Sequence, residues 1–450
     1  MIKKLSLVLI ATWFTAVTYA QNGISSPYSR YGFGIQSERA MGFNKGMGGV
    51  AQGFRNGQQI NIANPASYSA VDSLTALFDL GISLQNNNHK MGGMRQNIRN
   101  SSFDYFAFQF RAAKNVGVTI GLMPTTNIKY SFASSSTPIE GNENISSSYS
   151  FSGDGGLREV FIGMGWRPFK PLSIGFNVGY LWGDYTHNMT MPFSESTVFK
   201  MARIYTADIS TYNLQGGFQY IQPLNHDDKL VIGGTYTLGH KVENDAYRTT
   251  ETLNSSSTIE TESTDTIKNA FQLPNAFAAG ITYYHADKLR VGVDFELQKW
   301  SLCRFPDQSG KLDDNGSDVY TSNRGQLNDR WKAAAGMEWT PNPSSSNYFN
   351  KCSYKVGGYY AQSYAKADAT GTITGKPSEI GVSAGITMPI ANRNTWHNSP
   401  KINISVQWVH TDIPYLNAAT KQQSKLTENY LKFCVGITFS ERWFYKWRVQ

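Results

Sequence analysis

The chain reads as all-β: a transmembrane antiparallel β-barrel of about fourteen strands with an N-terminal plug or hatch. Three observations predict this. Segments of roughly 10–20 residues alternate apolar and polar side chains, which is longer than the strands of globular sheets. Their connections alternate between short and long, as periplasmic turns and external loops do. Beyond the leader, no stretch reaches the roughly 18 continuous apolar residues that a helical span needs.

In order, residues 1–20 carry Lys3 and Lys4, an apolar core and a Thr18-x-Ala20 end. This is the pattern of a secretory signal peptide cut before Gln21. No cysteine stands at the cut, so no acyl anchor is expected. Residues 21–73 follow as an N-terminal periplasmic segment and lumen hatch. Within them Met41–Ser67 is rich in Gly and Asn, and its apolar residues keep no clean period. Against lipid its backbone groups would go unpaired. Inside a barrel they can be satisfied by the wall, and Gly42, Gly46, Gly48, Gly49 and Gly53 allow tight turns and close approach. A flexible linker is the plain alternative.

The barrel proper is expected over residues 74–440. Its strands fall near 74–86, 101–113, 116–133, 145–167, 172–188, 199–221, 229–247, 267–285, 288–304, 324–340, 351–366, 371–389, 401–411 and 428–440. An even count returns the chain to the periplasmic side, and closure removes every sheet edge. The faces are legible. Phe106, Phe108 and Phe110 oppose Tyr105, Ala107, Gln109 and Arg111. Ile174, Phe176, Val178, Tyr180 and Trp182 form a second apolar row. Leu289, Val291, Val293, Phe295 and Leu297 form an unbroken third, and Leu431, Phe433, Val435, Ile437 and Phe439 a fourth. A two-sheet sandwich would also alternate, with water on its polar face. The 25 Tyr and 10 Trp favour interfacial girdles. The external loops, such as Glu251–Asp265, are rich in acidic and hydroxyl residues.

Composition excludes several classes. Removing Lys3 and Lys4 with the leader lowers the formal charge from +8 to +6, with no polybasic block, so nucleic-acid binding has little support. Cys303, Cys352 and Cys434 are odd in number and widely spaced, against a disulfide framework or thiolate metal site. A Gly-x-Ser-x-Gly elbow, a His-Glu-x-x-His pair and a phosphate-binding loop are all absent. Asp294 and Glu296 share a strand face with Arg290, the carboxylates roughly 6–7 Å apart. That spacing suits hydrolytic acid/base work. The lumen wall of a barrel also carries mixed charge that bonds a plug, and Arg290, Asp294 and Glu296 are read as lumen electrostatics. No enzyme and no cofactor is expected. In the tail, 441–450, Trp443, Phe444 and Trp447 can cover an interfacial patch while Arg442, Lys446 and Arg448 reach headgroups. A longer last strand and a docking patch for a periplasmic partner are the other readings.

The Gly-rich post-signal segment, Asn64-Pro65-Ala66-Ser67 before the first strand, and the strand tally resemble the FadL/OmpP1-type outer-membrane family, in the divergent form seen in Bacteroidota. Leu273-Pro274-Asn275 and Pro377-Ser378-Glu379-Ile380-Gly381 are weaker echoes. The resemblance implies a fourteen-stranded barrel in the outer membrane of a Gram-negative bacterium, with Gly48–Asn64 as hatch and Asn64–Ser67 as its junction. Gly46, Gly48, Gly49, Gly53, Asn64 and Pro65 are the residues expected to set that junction. It also implies passive passage of small, fatty-acid-like hydrophobic molecules past a displaced hatch or a kinked strand. The partners expected are outer-membrane lipids, a hydrophobic cargo, and envelope proteins at the external loops or tail. The rival reading is a non-transporting structural or accessory subunit of a larger outer-membrane assembly.

Overall fold

A computed structural model describes residues 26–91, 94–133, 137–139, 142–195, 198–254, 256, 258–307, 319–366, 376–390, 400–416 and 423–442. The leader and the tail residues Trp443, Phe444 and Trp447 lie outside these. Fourteen strands form the wall. They are β1 (Thr75–Met91), β2 (Met94–Ala113), β3 (Val116–Pro124), β4 (Ser150–Trp166), β5 (Leu172–Met191), β6 (Lys200–Pro223) and β7 (Asp228–Thr237). The second half is β8 (Ala276–His285), β9 (Leu289–Gln298), β10 (Arg330–Trp339), β11 (Ser353–Gln362), β12 (Ser378–Pro389), β13 (Lys401–Leu416) and β14 (Gln423–Arg442). Each pairs antiparallel with the next, and β14 returns to β1 from Thr75↔Arg442 to Lys90↔Thr427. The sheet is closed, so no lipid-facing edge is left between first and last strands. β6 runs for 24 residues and β2, β5 and β14 for 20 each, long enough to cross a bilayer at a tilt and continue beyond it.

The apolar rows face outward. Val291, Val293 and Phe295 are exposed, and Gly292 between them is buried. Ile174, Phe176, Val178 and Tyr180 repeat the pattern, with Ser173, Asn177, Gly179 and Leu181 turned in. There is one wall, so these rows are not the core of a sandwich. This is a closed outer-membrane barrel whose outer surface is solvated by lipid.

Several boundaries differ from expectation. β14 extends through Glu441 and Arg442 and does not stop at residue 440. β8 begins only at Ala276, because Leu273-Pro274-Asn275 leaves the wall and Pro274 cannot donate to the ladder. The expected seventh strand breaks after Thr237 and resumes as Ala246–Leu253 on the upper part of β6. The third breaks at Thr125 and continues as Thr126–Ala133. A register shift between Gly81 and Ile82 leaves Asp104 without an opposite residue, and it turns inward to bond Ser83 Oγ at 2.8 Å. Strict alternation would have put Asp104 outside with Phe106; the bulge re-aims it.

Candidate functional site: the N-terminal segment and the cavity above it

Residues 26–74 run along the inner face of the wall. They begin with a short turn, Pro27–Arg30, and end with another, Pro65–Ala70. Phe43, Met47, Val50, Phe54 and Ile60 are fully buried. Their backbone groups are satisfied by side chains drawn from around the ring. Gly42 N donates to Tyr105 Oη on β2 (2.6 Å) and Gly48 N to Ser383 Oγ on β12 (2.9 Å). Ala51 N and Gln52 N donate to Asp294 Oδ2 on β9 (2.6 and 2.9 Å), and Arg55 N to Tyr284 Oη on β8 (2.7 Å). Gln219 Nε2 on β6 donates to the carbonyls of Gln52 and Phe54 (2.9 and 3.1 Å). Lys355 Nζ on β11 donates to the Phe43 carbonyl. An irregular backbone in a lumen needs such partners.

The glycines sit where backbone meets backbone. Gly48 has φ +69°, and a Cβ there would come within 2.7 Å of the Gly358 carbonyl on β11. A Cβ on Gly46 would stand 3.0 Å from Gly385 Cα, and one on Gly53 2.6 Å from the Val231 carbonyl. Gly49, at φ +85°, lies near Lys332. The wall answers with its own glycines. A Cβ on Gly336 would meet the Met47 carbonyl at 2.3 Å, and one on Gly175 the Pro65 carbonyl at 2.4 Å. Asn64 caps the second turn, its Oδ1 accepting from Ala66 N (3.1 Å). Its Nδ2 donates to the carbonyls of Gln52 and Phe218, both at 3.0 Å, so it ties segment to β6. Pro65 opens the turn against Gly175 and Gly217.

Charged side chains supply a second set of ties. Arg39 pairs with Glu159 on β4 (2.8 Å), Glu38 with Lys332 on β10 (3.1 Å), and Lys45 with Asp104 on β2. Burial pushes the Glu38 carboxyl up, but Lys332, then Lys432 and Lys45, outweigh it and hold it at about 2. The three residues singled out on β9 part company. Arg290 pairs with Glu338, Asp294 accepts the two backbone N–H groups, and Glu296 meets Arg330 at 3.6 Å and Gln298 at 2.6 Å. They do not converge on one reacting atom. Glu38, Arg39, Lys45 and Asp104 escaped the sequence reading. Only a charge inside an otherwise apolar–glycine stretch, as at Lys45, could have signalled them.

Above this layer lies a cavity of about 200 Å³, lined among others by Phe33, Arg39, Leu157, Leu181, Asp294 and Lys332. An apolar cluster closes over it. Phe33 packs against Phe305, Phe271 and Trp300 with ring centroids 5.1, 5.5 and 6.1 Å apart, and Tyr364 and Tyr185 join them. The cavity also touches Gln36, Ser37, Thr125 and Thr126, where the wall is incomplete. β2 pairs with β3 only from Phe106 to Ala113. Among the described residues, Met94–Tyr105 pairs with β1 alone, while Thr126–Ala133 pairs with β4 and, through Asn127 and Thr126, with Ile35 and Gln36. Ser26 N and Ser37 N extend that contact to the carbonyls of Lys129 and Thr125, each at 2.9 Å. The chain's own N-terminal segment thus lies on the edge that β2 leaves open.

Comparison with known proteins agrees with this architecture. The toluene transporter TodX of Pseudomonas putida superposes with a TM-score of 0.60 at 14% identity, covering 92% of this chain and 100% of that one. The toluene transporter TbuX of Ralstonia pickettii gives 0.57 at 13%, covering 89% and 98%. A FadL homologue of Pseudomonas aeruginosa gives 0.57 at 9%, covering 90% and 99%. At these identities the likeness establishes a FadL-type barrel fold. The comparison with curated proteins returns no match. The BamG family profile matches residues 1–450, the whole sequence, and the chain belongs to the BamG family.

Proposed function

We propose that the barrel passes small hydrophobic molecules across the outer membrane by passive diffusion, with residues 21–73 as its hatch. The observation that carries this is the adjacency of the cavity to the incomplete β2–β3 wall, where Ile35–Ser37 lie along the open edge. A cargo held above Gln52 and Asp294 would leave sideways into lipid if that short strand shifted. Apolar burial would supply its affinity, at about 25 cal/mol per Å² as an upper limit. The structurally similar proteins described as toluene transporters and monoaromatic hydrocarbon channels support this cargo class. In this reading Gly46, Gly48, Gly49, Gly53, Asn64 and Pro65 set the hatch's seat, and Arg290, Asp294 and Glu296 hold its charge balance. Toluene uptake into proteoliposomes tests it. Protein-dependent uptake is expected, and uptake no faster than in protein-free vesicles would overturn it.

A second reading has its own observation. The Gly336–Met47 and Gly175–Pro65 approaches leave no slack between segment and wall, and an aromatic cluster fills the space above. A lumen sealed at two levels suits a non-transporting accessory subunit of a larger outer-membrane assembly. Affinity purification at native expression level separates the two: a stoichiometric partner set supports the accessory role, and a lone barrel argues against it.

A further inference from the structure

The underside of the N-terminal segment is charged differently from its upper side. Above, the charges of segment and wall are matched: Arg39 pairs with Glu159, Glu38 with Lys332 and Lys45 with Asp104. Below, at the short-turn end, cations gather about one ring. Tyr284 on β8 stands directly opposite Lys229 on β7 and Arg290 on β9. Directly opposed residues share a face, and the buried Tyr284 fixes that face as the lumen. Lys229 Nζ lies 4.9 Å and Arg290 Cζ 5.8 Å from the Tyr284 ring centroid. Arg55 N, from the segment, donates to the hydroxyl of the same tyrosine.

Carboxylates do not match these cations one for one. Glu338 serves Arg290 and Lys355 together. Among the described residues Lys229 Nζ has no hydrogen bond and no ion pair, only the Tyr284 ring. The Arg55 guanidinium donates to neutral groups, the Ala66 carbonyl, Gln219 Oε1 and Ser69 Oγ. Arg167, on the turn between β4 and β5, donates to the Lys170 carbonyl at 2.9 and 2.5 Å. Of the charged neighbours of Lys229, Arg290, Arg55 and Arg167 are cations and Asp287 is an acid. The adjoining turn carboxylates are engaged: Asp228 accepts from Tyr283 Oη at 2.7 Å and meets His285 Nδ1 at 2.8 Å, and Asp227 meets His226 Nδ1 at 3.0 Å. Lys170 and Lys288, both exposed, carry the positive rim into solvent. Residues 1–25, 391–399 and 443–450, outside the described ones, contain neither Asp nor Glu, so they add no side-chain carboxylate to this end.

We propose that this periplasmic mouth seats an extended acidic segment of a periplasmic protein, its carboxylates lying across Arg167, Lys229 and Arg290 beneath the N-terminal segment. Three features name that occupant. Lys229 is exposed and offers three N–H donors, so it is open to an acceptor arriving from the periplasm. Lys229 and Arg290 face the lumen, so a phospholipid headgroup would have to leave the bilayer to reach them. The cations come from the β4–β5 turn, β7, β9 and the N-terminal segment, so one small oxyanion meets only some of them while a chain of carboxylates meets them all. A cleft lined by one sign of charge also focuses the field that draws such a chain in. The seat lies below the segment and is independent of how the cavity above it is used.

The test uses the full barrel in phosphatidylcholine nanodiscs and a fluorescein-labelled decaglutamate peptide, with binding read by anisotropy. Saturable binding that weakens as salt rises is expected. The variant Arg167→Gln/Lys229→Gln/Lys288→Gln should weaken it about tenfold or more. The variant Lys90→Gln/Arg95→Gln/Lys241→Gln removes the same charge at the opposite end and should leave binding within about twofold. Heat-dependent gel mobility checks that each variant folds, and if the first triple fails, Lys229→Gln and Lys288→Gln alone should each lose about threefold. A benzophenone on the peptide should crosslink to the β4–β5, β6–β7 and β8–β9 turns. Equal binding by wild type and the short-turn variants, or crosslinks confined to the external loops, would overturn the proposal. So would peptide release by inorganic phosphate beyond that caused by sodium chloride of equal ionic strength, which marks a small-anion site, or loss of binding when phosphatidylglycerol replaces part of the phosphatidylcholine, which marks a headgroup site.

Discussion

Residues 41–70 and residues 26–37 belong to one continuous segment, yet different forces hold them. The first stretch is seated by backbone: amides on Tyr105, Ser383, Asp294 and Tyr284, carbonyls on Gln219 and Lys355, and glycine against glycine. The second is seated by a two-residue ladder on Thr126–Asn127, by bonds from Ser26 N and Ser37 N to the Lys129 and Thr125 carbonyls, and by the packing of Phe33 among aromatic rings. Hydrogen bonds and close backbone approach are intolerant of a shift of an ångström. An apolar cluster tolerates sliding, since dispersion contacts are many and undirected. The comparison predicts that residues 26–37, which lie along the open edge, shift more readily than residues 41–70, which are tied to strands around the ring.

The largest break of this contrast is deletion of Gly46–Gln59. It should raise permeability to small hydrophilic solutes in liposome swelling, whereas deletion of residues 26–36 should leave that permeability low. Next is Lys355→Met. It leaves Glu338 short of a cation and the Phe43 carbonyl without its donor, a loss of about 3–5 kcal/mol. Hydrogen exchange should accelerate at Phe43–Met47 and stay unchanged at Phe33–Gln36. Phe33→Ala should do the reverse. It removes about 3 kcal/mol or somewhat more of packing, with faster exchange at residues 26–37 and little change at 41–67.

The smallest effect is one of pH. Glu38 lies between the two stretches and pairs with Lys332, and its carboxyl is held down from 4.5 to about 2. A depressed carboxylate stabilises the folded form fully above its unfolded value and loses that contribution as pH falls. Protection of residues 37–40 should therefore decline between about pH 4.5 and 2. Glu38→Gln should flatten that decline, and a decline of equal steepness in the variant would separate Glu38 from it.

Much of the wall was legible because a strand has only two faces. Leu289–Leu297 needed no partner to declare which side meets lipid. The places where the reading failed are those where the period is interrupted from outside the strand. Asp104 has the parity of Phe106 and faces the other way, because the bulge opposite Gly81 cannot be read from β2 alone. The break at Thr125 follows Pro124, a visible signal, but that Ile35 and Gln36 would cover the exposed edge was not visible. The glycines of residues 42–53 were read as freedom to turn; the matching Gly336, Gly358 and Gly385 looked like ordinary strand glycines.

By itself, then, the sequence determined the closed sheet, the lipid-facing rows and the presence of an irregular segment ahead of them. These are local matters of period, length and turn chemistry. Only the tertiary structure decided which wall glycine meets which segment glycine, and that Arg290, Asp294 and Glu296 serve three different partners. Those contacts join residues hundreds of positions apart. They are set by curvature and register around the ring, which no single strand encodes.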